Sequence, residues 1–413
     1  MDRRVEIFMG EIRHMSEARR RKKRTSARPA PAKKRRPAVR YFDYSMLAVL
    51  VFLVCFGLIM LYSSSSYSAL VKYNDSMYFL KRQVLFCGMG FFAMYWISQI
   101  DYHIYAKYAE KLYWFSIALL FLVRLTPLGK EVNGAKRWIR LPMNQQLQPA
   151  EIVKLAVILL IPIILCQLGN RAHKKDGIVK VIIWGFGAAA GVYFLTSNLS
   201  SAIIVAGITV CLLFVVHPKT KPFMVLAGSG LTAAIIAVAV LNRIIQDAGS
   251  SGSFRLRRVL VWLQPEQYAS GSGYQTLQGL YAIGSGGFFG KGLGNSAQKM
   301  IIPEVQNDMI LSVICEELGV CGVIIVLVLF GLLLYRLMFI AQNAPDMYGA
   351  LVASGIFAHI AIQVILNIAV VTNTIPNTGV TLPFISYGGT SILFLMAEMG
   401  IALSISRQIR VEE

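Results

Sequence analysis

The sequence predicts an all-α, polytopic membrane protein. Of its 413 residues, 56% are hydrophobic and only 15% are charged, and its mean hydropathy of +0.58 lies outside the range of soluble globular domains. Apolar runs long enough to cross about 30 Å of hydrocarbon as helix recur along the chain. They lie near 44–62, 83–99, 111–125, 150–168, 178–196, 199–216, 222–241, 309–335, 348–372 and 385–405. We therefore expect about ten transmembrane helices.

The first 40 residues form a separate, strongly basic segment. They hold fifteen Lys or Arg residues against four acidic ones, and their mixture of basic blocks with Ala and Pro is typical of disorder. We expect residues 1–40 to be a cytoplasmic tail beside anionic lipid headgroups, and 41–413 to be the membrane domain. A nucleic-acid-binding arm is the weaker alternative, because no aromatic or folded binding module accompanies the charges. No nucleic-acid partner is expected.

Loop charges orient the chain in the membrane. With the tail inside, most inner loops carry Lys, Arg or His, as the positive-inside rule requires, and an even number of helices returns the C-terminus to the cytoplasm. Two outer loops, 127–149 and the long loop 242–307, are nevertheless basic. Their cations are Lys130, Lys136, Arg137, Arg140, Arg243, Arg255, Arg257, Arg258, Lys291 and Lys299. This favours an anionic ligand such as pyrophosphate or carboxylate, with solvated loop charges as the alternative.

Three carboxylates cluster where the long outer loop meets the eighth apolar run. Asp308 stands at the mouth of that helix, and Glu316 and Glu317 lie about 12 Å deeper by helical rise. Asp308 begins a small, partly polar stripe that we expect to face the bundle interior or a cavity. The other members of the stripe are Ser312, Cys315 and Gly319. A helix N-cap is the alternative role for Asp308; for the two glutamates, structural pairing is favoured over catalysis.

Further polar positions lie where the fourth helix begins and in the loop before it. Glu151 and Lys154 can pair at i, i+3 spacing, either to neutralise two buried charges or to hold substrate. Trp138 fits an aromatic anchor at the membrane interface. These positions are candidates for binding rather than for catalysis.

Two glycine-rich segments add further candidates. Residues 271–294 are suited to a close approach of backbone to a headgroup, or to a short re-entrant piece between helices. Ser386, Tyr387 and Gly388 offer hydroxyls and bare backbone to a ligand, with close helix packing as the default explanation. No protein-held metal is expected, because the six cysteines all fall inside apolar segments and no Asp-x-Asp motif occurs.

Six motifs together resemble the SEDS family (shape, elongation, division and sporulation), the bacterial membrane proteins grouped as FtsW, RodA and SpoVE. The match covers nearly the whole chain after the tail, and the order and spacing of the motifs are highly specific. The motifs are GLIMLYSSSS at 57–66, NGAKRWI at 133–139, QPAEIVKL at 148–155, GYQTLQGLYAIGSGGFFGKGLGNSAQK at 273–299, PEVQNDMILSVICEELG at 303–319 and LPFISYGGTS at 382–391.

The resemblance implies a ten-helix peptidoglycan glycosyltransferase of the bacterial plasma membrane. Such an enzyme polymerises lipid II into β-1,4 glycan strands at the outer leaflet. Its implied partners are a class B penicillin-binding protein transpeptidase and other divisome or elongasome membrane proteins. The long basic tail favours a role in division, and a divalent cation, Mg²⁺ or Mn²⁺, on the pyrophosphate stays open.

The resemblance also implies residue roles. Asp308 matches the family's proposed catalytic aspartate, which takes the proton of the attacking hydroxyl. Cations are needed where pyrophosphate charge develops, and the candidates are Lys136, Arg137, Arg255, Arg257 and Arg258. Motif positions that carry over as important for function are Trp138, Glu151, Lys154 and Glu304.

One departure from the family pattern concerns the partner of Lys154. Many members have Asp-Leu-Gly between helices five and six, whereas this chain has Asn198-Leu199-Ser200. Either Glu151 neutralises Lys154 alone, or that charge network is not essential here. The sequence around Asp308, Gln-Asn-Asp, also differs from the commoner His-Thr-Asp, although the aspartate is kept.

Two other function classes compete with the enzyme. A flippase for the same lipid would use intramembrane charges to gate passage, namely Glu151, Lys154, Glu316 and Glu317. A scaffold would only recruit cell-wall synthases through its tail and helices. The combination of a basic outer loop with a carboxylate favours the enzyme.

Overall fold

The computed structural model describes residues 42–132, 135–141, 145–248, 254–269, 271 and 273–410. The predicted basic tail therefore lies outside the described residues. Within them the chain is mostly helical, with twelve α-helices. The helices are α1 Tyr44–Tyr73, α2 Tyr78–Gln99, α3 Tyr102–Leu125, α4 Pro149–Leu168, α5 Lys175–Thr196, α6 Leu199–Val216, α7 Lys221–Ala248, α8 Phe254–Leu263, α9 Tyr274–Gly286, α10 Ile310–Asn343, α11 Met347–Val371 and α12 Ser391–Ser406.

Each predicted apolar run overlaps one of these helices. Among the described residues, six helices are long and apolar enough to cross a membrane, and the α2–α3 pair, bent by 113°, brings the number to seven if it counts as one span. The chain is thus a multi-pass membrane protein. Several helices extend beyond their apolar runs. The hydrogen bonds of a helix are made within its own backbone, so the helix can continue past the edge of the hydrocarbon.

The start of α3 shows how a polar cap moves a helix boundary. The sequence predicts a loop over 101–111, but the helix already begins at Tyr102 because Asp101 accepts a hydrogen bond from the His103 N–H at 3.0 Å. The His103 ring also lies between Asp101 and Asp346, with 2.6 Å to each. Asp346 caps α11, so one imidazole joins the starts of two helices.

A small sheet is the main departure from the all-α prediction. Strands β1 Gly129–Val132, β2 Ala135–Leu141 and β3 Gln145–Leu147 form an antiparallel meander in the order β1-β2-β3. Asn133-Gly134, between β1 and β2 in the sequence, is the dipeptide typical of tight hairpins. The strands are too short to give a clear hydrophobic alternation.

The predicted outer loop 242–307 is also more ordered than a loop. Helix α7 runs to Ala248, and the segment then forms α8, α9 and short 3₁₀ turns. Helix α9 packs against α10, where Gly279 lies over Ser312 and a Cβ on Gly286 would collide with the Cys315 carbonyl. The predicted polar stripe on α10 therefore does face the interior of the bundle.

Helix α10 is interrupted at Gly319, and the turn after α9 replaces the missing hydrogen bonds. The φ of Gly319 is +65°, and a Cβ there would lie 2.4 Å from the Gly290 nitrogen, so only glycine fits. Amides of Lys291 and Gly292 donate to the carbonyls of Glu316 and Glu317 at 2.9 Å. In return, the amides of Val320 and Cys321 donate to the carbonyls of Gly287 and Phe288.

The same turn neutralises the two buried glutamates. Lys291 pairs with Glu316 at 2.7 Å and Lys299 pairs with Glu317 at 3.0 Å. The Ser63 hydroxyl on α1 donates to both oxygens of Glu317 at 2.6–2.7 Å. Glu316 and Glu317 are therefore paired within the protein, as the preferred interpretation from the sequence predicted.

We predict that Lys299→Met strongly destabilises the protein. Lys299 is 6% exposed and Glu317 is fully buried, so the substitution leaves a buried carboxylate without its cation and should lower the free energy of unfolding by about 3–5 kcal/mol. The matched control is Lys81→Met, which removes the lysine of a surface pair with Asp75 and should change little. Denaturant unfolding in detergent measures both; equal effects would contradict the prediction.

Candidate active site

Asp308 lies immediately before α10, but it is not the helix cap. The N-cap residue is Met309, and no side chain caps this helix. The Asp308 carboxylate instead accepts a hydrogen bond from the Gln275 Nε2 atom of α9 at 3.0 Å, and the nearby Asn377 side chain also lowers its pKa. The N-cap interpretation of Asp308 is therefore wrong, because Met309 occupies the N-cap position and no side-chain hydrogen bond caps the helix.

The surroundings of Asp308 weaken its acidity. The side chain is half-buried, and burial raises the pKa of Asp308 to about 6, helped by the negative charge of Glu304 and opposed by the hydrogen bonds from Gln275 and Asn377. A Cβ on Gly379 would lie 3.9 Å from the Asp308 Oδ2 atom, so the loop that contains Asn377 passes directly beside the carboxylate. A carboxyl with this pKa is mostly ionised at neutral pH and is a stronger base than an ordinary aspartate.

One of the predicted cations interacts with this carboxylate, and a second lies beside the first. Arg258 on α8 reaches the Asn377 carbonyl through Nη1 at 3.4 Å; burial lowers the pKa of Arg258, and the charge of Asp308 opposes that change. Arg137 on β2 donates from Nη2 to the Ser197 carbonyl at 3.1 Å. Burial and the neighbouring charge of Arg258 lower the pKa of Arg137. Arg258 thus interacts electrostatically with both Asp308 and Arg137.

The other predicted cations are placed less closely. Arg255 and Arg257 belong to α8, but their side chains lie outside the described residues. Lys136 precedes Arg137 on β2, so the two side chains point to opposite faces of the sheet. Trp138 shares the face of Lys136 and is half-buried. The sequence could not separate Lys136 from Arg137, because strand pairing in this segment was not predicted.

The predicted pair of Glu151 and Lys154 is present and fully enclosed. Its atoms lie 2.8 Å apart, Lys154 is 1% exposed, and Lys154 Nζ also donates to the Gln363 Oε1 atom of α11 at 3.2 Å. Glu151 is thus the carboxylate partner of Lys154, with an amide as the second acceptor. Asn198, which replaces the usual aspartate, caps α6 by accepting from the Ser201 amide at 3.1 Å.

The remaining predicted residues frame the site without touching the carboxylate. Glu304 is exposed, has a φ of +48° and accepts from the Asn307 side chain at 3.2 Å. The Tyr387 amide donates to the Gln306 carbonyl at 2.9 Å, which joins the loop before α12 to the loop before α10.

Ser386 and Gly388 hold the loop before α12 through buried contacts. The Ser386 hydroxyl accepts from the Leu382 amide at 2.8 Å, and the Gly388 amide donates to Gln83 at 3.4 Å. Close packing, the default explanation from the sequence, accounts for what both residues do here.

The sequence prediction missed the amide side chains around Asp308. Gln275 donates to its carboxylate, Asn367 donates to its backbone carbonyl, and the Asn377 side chain lowers its pKa. An available signal was the presence of Gln363 and Asn367 four residues apart in an otherwise apolar helix. Among the described residues, no group of three or more His, Cys, Asp or Glu residues could hold a metal ion.

Comparison with known proteins places this geometry in a family. A family model described as a cell cycle protein, FtsW/RodA/SpoVE, matches residues 43–411. A probable peptidoglycan glycosyltransferase FtsW from Trichlorobacter lovleyi is 36% identical over 90% of this chain and 94% of its own. Stage V sporulation protein E of Bacillus subtilis is 37% identical over 89% of this chain and 98% of its own.

Solved structures agree with the sequence relatives. A chain from a structure titled as the coordination of polymerization and crosslinking by a peptidoglycan synthase complex has a TM-score of 0.72 at 26% identity and covers 90% of this chain and 99% of its own. The rod shape determining protein RodA of Thermus thermophilus has a TM-score of 0.64 at 25% identity, over 90% of this chain and 98% of its own. The chain therefore belongs to the FtsW/RodA/SpoVE family of cell cycle proteins, as its motifs had indicated.

Proposed function

We propose that this protein is a peptidoglycan glycosyltransferase that polymerises lipid II into β-1,4 glycan strands. The observation that carries the proposal is a half-buried carboxylate, Asp308, with a pKa raised to about 6, whose charge acts on the half-buried Arg258. The names of the relatives point to the same reaction class. We place the site at the extracytoplasmic face of a ten-span bacterial plasma membrane protein with both termini in the cytoplasm, and the large loop between the seventh and eighth spans.

In the proposed reaction Asp308 is the general base. The 4-hydroxyl of the acceptor sugar attacks C1 of the lipid-linked donor, and its proton passes to the Asp308 carboxylate. The bond between C1 and the pyrophosphate oxygen breaks, undecaprenyl pyrophosphate leaves, and inversion converts the α-linked donor into a β link. Glu304 contributes by raising the pKa of Asp308, and so its strength as a base.

The leaving pyrophosphate requires positive charge. Arg258 and Arg137 are the best placed, and the buried Nε of Arg137 has no hydrogen-bond partner among the described residues. A buried donor without a partner is costly unless a ligand satisfies it. Arg255 precedes Arg258 by one helical turn on α8, and it is a further candidate together with Arg257. Lys136 and Trp138, on the other face of β2, would act at the edge of the site.

The ion pairs of the charged residues inside the helix bundle argue against a flippase. Glu151, Glu316 and Glu317 each form an ion pair with a lysine at 2.7–3.0 Å, which supports a structural role rather than a gate. A scaffold role alone would not account for the raised pKa of Asp308.

As partner we propose a class B penicillin-binding protein transpeptidase, since a structural relative comes from a complex that joins polymerization to crosslinking. Other divisome membrane proteins would assemble around this pair.

The proposed base predicts that Asp308→Asn abolishes most of the polymerase activity. The amide cannot accept the hydroxyl proton, so kcat should fall by about 10²–10⁴-fold. The measurement is polymerisation of lipid II by purified protein with its transpeptidase partner, and Asp75→Asn, at an exposed aspartate outside the site, is the control. Full activity of Asp308→Asn would refute the base, and lipid transfer across vesicles without polymer by the wild type would favour transport.

The raised pKa predicts how the rate depends on pH. The base works only when ionised, so the rate should rise with pH through a midpoint near 6 and be lost below it. Gln275 donates to the ionised form and lowers the pKa of Asp308. Gln275→Leu should therefore move the midpoint to higher pH. Initial rates across the range test this; a midpoint that stays in place would exclude Asp308 as the titrating group.

The proposed pyrophosphate site predicts that Arg258→Gln lowers kcat by about 10²-fold or more, because one preorganised positive donor is lost from the leaving group. Arg140→Gln is the matched control, since Arg140 is exposed on β2. Equal activities of the two variants in the lipid II assay would remove Arg258 from the site.

A further inference from the structure

Three buried polar side chains form a ladder on one face of α11. His359, Gln363 and Asn367 stand four residues apart, and their exposures are 1%, 5% and 0%. Residues at i and i+4 lie one above the other on a helix. The ladder therefore runs along α11 toward the end where Asp308 lies.

Hydrogen-bond partners determine how the Gln363 amide is oriented. The ammonium of Lys154 can only donate, and the Thr381 carbonyl can only accept. Oε1 therefore faces Lys154 Nζ at 3.2 Å, and Nε2 faces the Thr381 oxygen at 3.1 Å. The His359 Nε2 atom lies 2.9 Å from the same Oε1 and must carry a hydrogen, while its Nδ1 atom lies 2.8 Å from Glu398.

Asn367 joins two loops of the site. Its Nδ2 group donates to the Asp308 backbone carbonyl at 3.0 Å and to the Val380 carbonyl at 2.8 Å. The two hydrogens of one amide are thus divided between the residue proposed as the base and the loop before α12. Gln363 donates to the carbonyl of Thr381, the next residue in that loop. Two successive turns of α11 therefore hold two successive carbonyls of the loop.

The held loop is the one that lies against the Asp308 carboxylate. Gly379 lies beside the carboxylate and the Asn377 side chain lowers its pKa; the two residues precede Val380 by one and three positions. The Arg258 guanidinium also reaches this loop, at the Asn377 carbonyl. A displacement of Val380 or Thr381 would therefore change the position of both the base and its nearest cation.

We propose that Gln363 and Asn367 are positioning residues of the transferase. They hold the 377–381 loop and the Asp308 backbone in fixed positions relative to each other. The inference rests on the proposed function. Both side chains are buried and donate to backbone carbonyls rather than to the Asp308 carboxylate, so both act through the backbone. Glu151, Lys154, His359 and Glu398 in turn keep the Gln363 amide in its orientation.

The test compares Asn367→Leu and Asn367→Asp with Ser354→Ala in the lipid II polymerisation assay. Leucine removes both donated hydrogen bonds, and the isosteric carboxyl can donate at most one. Ser354 lies on the same helix, and its hydroxyl donates to the Ala350 carbonyl one turn earlier, away from the loop of the site. We expect kcat to fall about 10–100-fold for Asn367→Leu, less for Asn367→Asp and not at all for Ser354→Ala, with KM nearly unchanged.

A second measurement distinguishes positioning from general loss of structure. If Asn367 acts through Asp308, Asn367→Leu should not lower the residual rate of Asp308→Asn further, since residues that act as a unit are not additive. Wild-type kcat in a folded Asn367→Leu protein, or full additivity with Asp308→Asn, would overturn the inference. If Asn367→Leu fails to fold, Asn367→Asp is tested in the same way. Absence of polymer from the wild type would instead overturn the proposed function.

Discussion

The structure depends on one constraint: charges and backbone polar groups inside a bilayer must find their partners within the protein. The clearest case is the break of α10 at Gly319, where the amides of Lys291 and Gly292 satisfy carbonyls that the helix leaves open. The side chain of Lys291 neutralises Glu316 in the same place. A break in a helix leaves backbone groups without hydrogen-bond partners, which is unfavourable in hydrocarbon. Here the turn after α9 supplies those partners, and the same contacts attach α9 to α10 and fix the position of the first part of α10.

Against this background of satisfied groups, the proposed site is one of the places where pairing is incomplete. Asp308 accepts from the Gln275 amide and interacts with Arg258, yet no ion pair with Asp308 is among those of the described residues, and burial leaves its pKa raised. Arg137 keeps a buried Nε without a partner among the described residues. Groups left in this state cost stability, and a substrate with both a hydroxyl to deprotonate and an anionic leaving group would satisfy both. Because Glu151 and Lys154 form a closed ion pair and Asp308 does not, we propose a structural role for the pair and a chemical role for Asp308.

The sequence predicted the parts of the fold that depend on local composition. Apolar length placed the helices, and the position of Asp308 beside basic segments singled out the residue whose charge acts on Arg258. The sheet over 129–147 and the helix α8 were missed, whereas α9 lies in the segment for which the sequence offered a short re-entrant piece. The missed segments are short, and their own periodicity did not identify them.

By itself, the sequence determined that the chain is a membrane protein, that Asp308 follows a basic segment and that its motifs belong to a known family, because hydropathy and motif spacing are linear properties. Only the tertiary structure decided which charges meet. It joined Gln363 to Lys154 across two helices, divided the Asn367 amide between Asp308 and Val380, and put Lys136 and Arg137 on opposite faces of a strand. Hydrogen bonds act over about 3 Å, and residues as far apart in the chain as Asp308 and Asn367 come within that distance only when the helices pack.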